Sequence, residues 1–422
     1  MELIIYTLRS VAYAIVDPSH LLILIVFGIM FYMKNRRISI MQKMTVGESL
    51  NSPLELTLSQ LVLGISAGAI GSIILSSLGI VFNENSGIEL IFMISLLLLF
   101  IKKRFICFSY SGAILGFISL ILGIVANSTG TNSYLNINIV VLMTFIGVLH
   151  IVEAFLVMVD GNRGAVPVFS TKDGKIIGGF SFNRYWAMPV AILIAFSSGV
   201  SPATSEIIAT PQWWPIINRL NTMNLLTVAI ISCVPLYGII GYSSVTFTKL
   251  KRKKVVHSGI LILIYGITLV LVAQLASFGT IGELGAIIYA PLAHEFMLKM
   301  QKKSEENGKF IYVSDDEGVA VLDVAPSSPS FAVGIRTGDK ILEINNAKVL
   351  SEMDIFHTVK DSTQDITIKI KKFSGEIIDY VVKPKNKRLG ILLVPKIIRK
   401  EDALSVDNDD FKKILEDLKK KK

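Results

Sequence analysis

A succession of apolar runs decides what this chain can fold into. His20 to Met33, Thr57 to Phe82, Ile88 to Ile101, Phe105 to Ala126, Ile139 to Val159, Ala187 to Val200, Leu225 to Val245 and Gly259 to Phe278 carry almost no charge. A helix crossing a bilayer core takes about 20 apolar residues, so these runs predict about eight spans, several of them short. Only 18% of the 422 residues are charged, and the mean hydropathy is +0.59. The stretch from Leu298 to Lys422 is charged and reads as soluble. The expected fold is a polytopic α-helical membrane region over residues 1–299, a small β-rich domain over 308–396 and a charged amphipathic tail over 397–422.

Met1 to Val16 carries one cation, Arg9, has no small-residue cleavage pattern and runs into Asp17-Pro18. It reads as mature sequence, an interfacial or half-inserted helix broken at Pro18, and not as a signal peptide. Lys34-Asn35-Arg36-Arg37, Lys102-Lys103-Arg104, the Arg163 to Arg184 loop and Lys249 to Lys254 follow alternate spans, whereas the intervening segments hold one cation, Arg219. Cationic loops stay in the cytoplasm, so all four are expected on that side. Eight spans would then leave the terminal domain outside, yet Lys299, Lys302, Lys303 and the lysine-rich tail argue for the cytoplasm. A ninth or re-entrant segment over 280–298 resolves the conflict.

The net charge of +9 is gathered in these clusters and the tail. It suits anionic lipid, and no basic patch interleaved with aromatics suggests nucleic acid. Cys107 and Cys233 lie in apolar runs and read as small buried hydrophobes. A zinc protease needs His-Glu-x-x-His, but His294-Glu295-Phe296-Met297-Leu298 has leucine at the second ligand position. No metal, cofactor or catalytic residue is expected. His150 and Glu153 share a helix face inside a span, either as a proton relay or as a hydrogen-bonded pair holding helices together. Gly64, Gly68 and Gly71 suggest close helix packing. Val166 to Phe180 reads as a hairpin around Asp173-Gly174, which either docks on the terminal domain or a partner, or ties two helices together.

From Phe310 the pattern changes to short β-rich runs at Phe310 to Val313, Val319 to Val324, Ile341 to Ile344, Ile366 to Lys371 and Ile377 to Val382, with a helix over Ser351 to Lys360. The segment from Gly318 to Asn346, with Gly334, Gly338-Asp339 and Asn345-Asn346 at its turns, resembles bacterial PDZ domains. That resemblance implies capture of an extended peptide as an added strand beside a helix. It makes Ser351 to Lys360 the groove helix, with Ile355 and Val359 facing the peptide and Phe356 and Thr358 as further candidates. Leu389-Gly390-Ile391 is either the carboxylate-binding loop, placed late as in site-2 proteases, or simply the last core strand. In the tail, Phe411, Ile414, Leu415 and Leu418 suggest a short amphipathic helix.

The whole arrangement, together with Gly178-Gly179-Phe180-Ser181-Phe182-Asn183-Arg184-Tyr185-Trp186 and Pro189, is similar to the MinJ-type cell-division topology proteins of Gram-positive bacteria. The resemblance implies a non-enzymatic scaffold bridging DivIVA-like and MinD-like division proteins to position the septum. A transporter, with Pro189, Pro202 and Pro235 breaking spans around a cavity, or a PDZ-bearing regulator of membrane proteolysis is the alternative.

Overall fold

The computed structural model describes residues 2–131, 133–172, 174–197, 212–217, 222–223, 229–362 and 364–396. The amphipathic tail and most of the Ser201 to Asn224 connection lie outside the described residues. Two helices open the chain, α1 (Glu2–Val16) and α2 (Pro18–Val46), bent by 68° at Asp17, whose carboxylate caps α2 just before Pro18. Helix α2 continues through the Lys34 to Arg37 cluster, expected as a loop, and stops at Gly47, whose φ of 93° suits glycine. Next come α3 (Pro53–Leu78), the short strand β1 (Val81–Asn83), α4 (Leu90–Ile101), α5 (Phe108–Thr129) and α6 (Ile139–Asp160). Helix α6 is the axis of the bundle, with 83% of its apolar window buried.

Two expected spans are not helices. The described part of Ala187 to Val200 falls in strand β3 (Lys175–Ser197), and that of Leu225 to Val245 in β4 (Ala229–Thr246). These pair antiparallel over eighteen registered positions, from Phe180 opposite Thr246 to Ser197 opposite Ala229. Strand β2 (Val166–Lys172) pairs with the start of β3 as the expected hairpin, turning at Gly174 (φ 72°), and β1 pairs with its end.

The stretch of β3 between β2 and β1 faces α3 instead of a strand. A Cβ on Gly64 would lie 2.1 Å from Ala187 O, one on Gly68 would lie 2.0 Å from Pro189 O, and Ser72 Oγ accepts from Ala191 N at 2.8 Å. Four helical residues rise about 6 Å and two strand residues about 6.7 Å, so 64, 68 and 72 keep step with 187, 189 and 191. The glycines thus admit a strand; Gly71 alone faces a helix, at Val152 of α6. In an antiparallel strand both polar groups of a residue point to one side. The missing N–H of Pro189 therefore falls toward α3, outside the ladder. Pro235, opposite Ala191, likewise turns its polar groups to the outer edge of β4. That edge is covered by α1, where Ser10 Oγ donates to Cys233 O at 3.0 Å and Cys233 N donates to Tyr6 Oη at 3.4 Å. At the other end of the ribbon, Arg184 and Asp160 form a fully buried ion pair that Trp186 Nε1 joins at 2.9 Å.

Helix α7 (Lys251–Ala273) follows, then α8 (Thr280–Glu306), which contains the segment expected to cross or re-enter. Lys254 meets Glu305, Ser258 meets Gln301 and Tyr265 meets Ala290, so α7 and α8 are antiparallel. The chain thus returns to the end where α7 began. Among the described residues four helices are long and apolar enough to cross a membrane, α3, α5, α6 and α7 extended to Phe278, or five if α1 and α2 form one broken span. Several apolar helices followed by a β-rich domain is the observed fold class.

The terminal domain is built on strands β5 (Val319–Val324), β6 (Lys340–Ile344), β7 (Ala347–Lys348), β8 (Ile366–Lys371), β9 (Ile377–Val382) and β10 (Ile391–Leu393), in the order β10-β5-β6-β8-β9 with β7 on β6. Helix α9 (Glu352–Asp361) crosses between β7 and β8 in sequence. Ile366, Ile368 and Ile370 are buried while Thr367, Lys369 and Lys371 alternate outward, the period-two pattern of a half-buried strand. Phe310 to Val313, expected as a strand, is irregular: Ile311 N donates to Phe247 O and Tyr312 O accepts from Gly178 N at 2.8 Å.

Candidate peptide-binding site

Strand β5 is buried on both faces, and that fixes how the terminal domain is mounted. Val319 and Val321 enter the domain's own core with Ile341, Ile368 and Leu393. Ala320 and Leu322 enter the core of the helical region beside Phe180, Phe182 and Tyr312. The β2–β3 hairpin therefore does dock on the terminal domain. Gly178 leaves no room for a Cβ, which would lie within 3.1 Å of Val394, Leu322 and Tyr312. Lys251 Nζ, at the start of α7, reaches Asp323 at 3.0 Å, and Glu48 accepts from Ser327 N at 2.9 Å.

Mounted in this way, the domain keeps β10 as an edge strand with α9 beside it. The helix is placed by Ile355 and Val359, which pack in one core with Leu389 and Leu393, and by Glu352, which accepts from Lys396 N just beyond β10 at 3.3 Å. Asp354 holds the start of α9, accepting from Leu350 N and Ser351 N, each at 2.9 Å. Those amide donors hold its carboxyl below the ordinary value. Ile355 and Val359 are 2% and 4% exposed, packed beneath the surface between α9 and the Leu389 to Leu393 segment. Phe356 is 57% exposed and stands one turn after Glu352, on the stripe that approaches β10. The helical period points to the buried pair; Phe356, also a candidate from the sequence, is the exposed aromatic beside it.

Gly390 has φ 71°, and a Cβ there would lie 2.2 Å from Ser328 Cβ. Its carbonyl accepts from Ala325 N at 2.8 Å, tying the loop to the end of β5. Among the described residues the amides of Leu389 and Gly390 donate to no backbone carbonyl. Lys385, Lys387 and Arg388 immediately precede them. A short loop with unspent donors and nearby cations, opening onto a strand edge and an exposed aromatic, suits a peptide carboxylate. The turn residues read from the sequence are also in place. Asp339 accepts from Arg336 N, Phe373 N and Lys372 Nζ, and Asn345 and Asn346 take φ of 49° and 63° between β6 and β7.

His150 and Glu153 lie one turn apart on α6 with Nε2 and Oε2 3.8 Å apart, so the expected pair is close but not hydrogen-bonded. His150 instead approaches Cys107 and Ser109, with Nδ1 on Ile146 O. Cys107, expected as a buried hydrophobe, meets two histidines. Sequence spacing gives no sign of this, because the three residues come from separate elements.

The family model described as PDZ domain matches residues 298–372 and ends before the Leu389 loop. The cell division topological determinant MinJ of Bacillus subtilis is 22% identical over 273 residues, covering 62% of this chain and 63% of MinJ. The match thus spans less than two thirds of that relative. It is still longer than everything after Leu298, so it runs into the apolar region. A putative zinc metalloprotease of Borreliella burgdorferi is 28% identical over 103 residues, 23% of this chain and 24% of that protein. This chain is similar to MinJ, with a region of several apolar helices followed by a PDZ domain.

Proposed function

We propose that the chain is a multi-pass membrane scaffold that positions division proteins through its PDZ groove, with the domain in the cytoplasm. The observation that carries this reading is that the likeness to a cell division topological determinant extends beyond the PDZ domain into the apolar region. A PDZ domain binds protein segments. The groove comprises the Leu389-Gly390-Ile391 loop, the free edge of β10 and Phe356, with Ile355 and Val359 as its floor. By the MinJ resemblance the partners are DivIVA-like and MinD-like proteins. The activity is binding without catalysis.

The test is deletion combined with localisation. A fluorescent fusion should gather at division sites and poles, co-purify with division proteins and, when deleted, shift septum placement. Uniform distribution, no division protein in the pull-down and unchanged septa would end the division reading. The match to a metalloprotease keeps a proteolysis regulator as the second reading; accumulation of an uncleaved membrane substrate on deletion would favour it.

A further inference from the structure

A thiol and two imidazoles meet beside a cavity of ≈ 710 Å³ whose lining includes Cys107, His150, Glu153, Lys254, His294 and Glu305. Cys107, just before α5, places Sγ 3.1 Å from His150 Nε2 on α6 and 3.5 Å from His294 Nε2 on α8. One ligand atom from each lies within 4.8 Å of the others. A sulfur at about 2.3 Å and a nitrogen at about 2.1 Å from one tetrahedral zinc stand about 3.6 Å apart. The observed 3.5 Å to His294 matches that, and the 3.1 Å to His150 is about 0.5 Å shorter.

Hydrogen bonding also orients the set. His150 Nδ1 is 2.8 Å from Ile146 O, so it carries the proton and leaves the Nε2 lone pair toward Cys107. Tyr110 donates to Glu295 at 2.6 Å and so accepts from His294 Nδ1 at 3.1 Å, which turns the His294 Nε2 lone pair toward the same sulfur. Tyr265 donates to Ala290 O, so the Ser109 hydroxyl, 2.7 Å from Tyr265 Oη, donates there and has no proton for His150. Two ring lone pairs then face a thiol with a single proton, an arrangement that a cation relieves. Outer groups fixing imidazoles this way are typical of metal centres.

The geometry points to a zinc-class divalent metal site with Cys107, His150 and His294 as ligands and the Glu153 carboxylate close by. Glu153 is 3.8 Å from His150 Nε2. With a thiolate, a carboxylate and a dication the buried group is neutral, the form that low-dielectric surroundings favour. Thiolate with imidazole selects zinc over magnesium or calcium. The cavity supplies the way in. This inference does not rest on the scaffold reading.

The test uses the full chain with Cys233→Ala, purified in detergent, stripped with chelator and dialysed against Zn²⁺ or Co²⁺. One zinc per chain should remain bound, Co²⁺ should give a thiolate charge-transfer band, and Zn²⁺ should slow maleimide alkylation of Cys107. Cys107→Ser should lose the band, and Tyr110→Phe should weaken zinc about 10–100-fold. If these variants do not fold, the band and the alkylation rate of the parent protein decide. No retained zinc, no band and an alkylation rate indifferent to Zn²⁺ would overturn the site and leave a hydrogen-bonded clamp of three helices.

Discussion

The β3–β4 ribbon and the terminal domain meet the same physical demand, what to do with unpaired strand edges, in opposite ways. The ribbon's edges are closed: α3 presents Gly64, Gly68 and Ser72 to one, and α1 presents Tyr6 and Ser10 to the other. In apolar surroundings an open edge would leave backbone groups unsatisfied at several kcal/mol each. In the terminal domain the edge strand β10 stays beside a helix whose flanking aromatic is exposed. A covered edge is architecture, whereas an edge strand with no further strand beside it and a donor loop at its start is where the proposed peptide would add.

The largest effect is expected where the ribbon is pinned. Arg184→Ala leaves the buried Asp160 carboxylate with only the half-exposed Arg163 at 3.4 Å and Trp186 as partners and should cost up to about 3–5 kcal/mol, read as lost thermal stability in detergent. Asp160→Asn in the same chain should recover part of it; full tolerance of Arg184→Ala would break the picture of a closed ribbon. Gly68→Val forces a side chain into Pro189 O and should cost about 1–3 kcal/mol or more. Gly123, with nothing within 4 Å of its Cβ position, is the control and should accept alanine without loss. Equal behaviour at the two sites would mean that no strand lies against α3.

On the open edge the effects shift from stability to binding. Phe356→Asp should weaken capture of a C-terminal peptide about tenfold, about 1.4 kcal/mol, while unfolding stays within about 0.5 kcal/mol of the parent. A change in unfolding with no change in capture would make Phe356 a core residue. Asp354→Ala removes a helix cap worth about 1 kcal/mol. The folded carboxyl lies below its ordinary 3.8, so the parent's capping contribution is complete above that value and fades as pH falls through the depressed one. Hydrogen exchange of α9 amides at neutral and acid pH should show parent and variant converging in acid.

The terminal domain was legible because water makes its strands alternate, as in Ile366 to Lys371, and because its turns need Gly334, Gly338 and Asn345-Asn346. The ribbon was not. Met188 to Leu193 is buried without interruption, so period two never shows, and runs of 14 and 21 apolar residues exceed an ordinary strand and suggest helices. Pro189 and Pro235 read as helix breaks; their shared side of the strand pair emerges only with the register. In the groove, period 3.6 found the helix face but not which side of Ile355 is open. The Cys107, His150 and His294 cluster was hidden because helix packing, and no local spacing, assembles it.

The return of the chain along α8 seats the PDZ domain at the same end as Lys249 to Lys254, in contact through Lys251 and Asp323. Paired topology reporters, one inserted in the Lys249 to Lys254 loop and one fused after Lys422, test it most directly. Both should report the cytoplasm. Reporters on opposite sides of the membrane would contradict the antiparallel pairing of α7 with α8 and remove the groove from the compartment of its proposed partners.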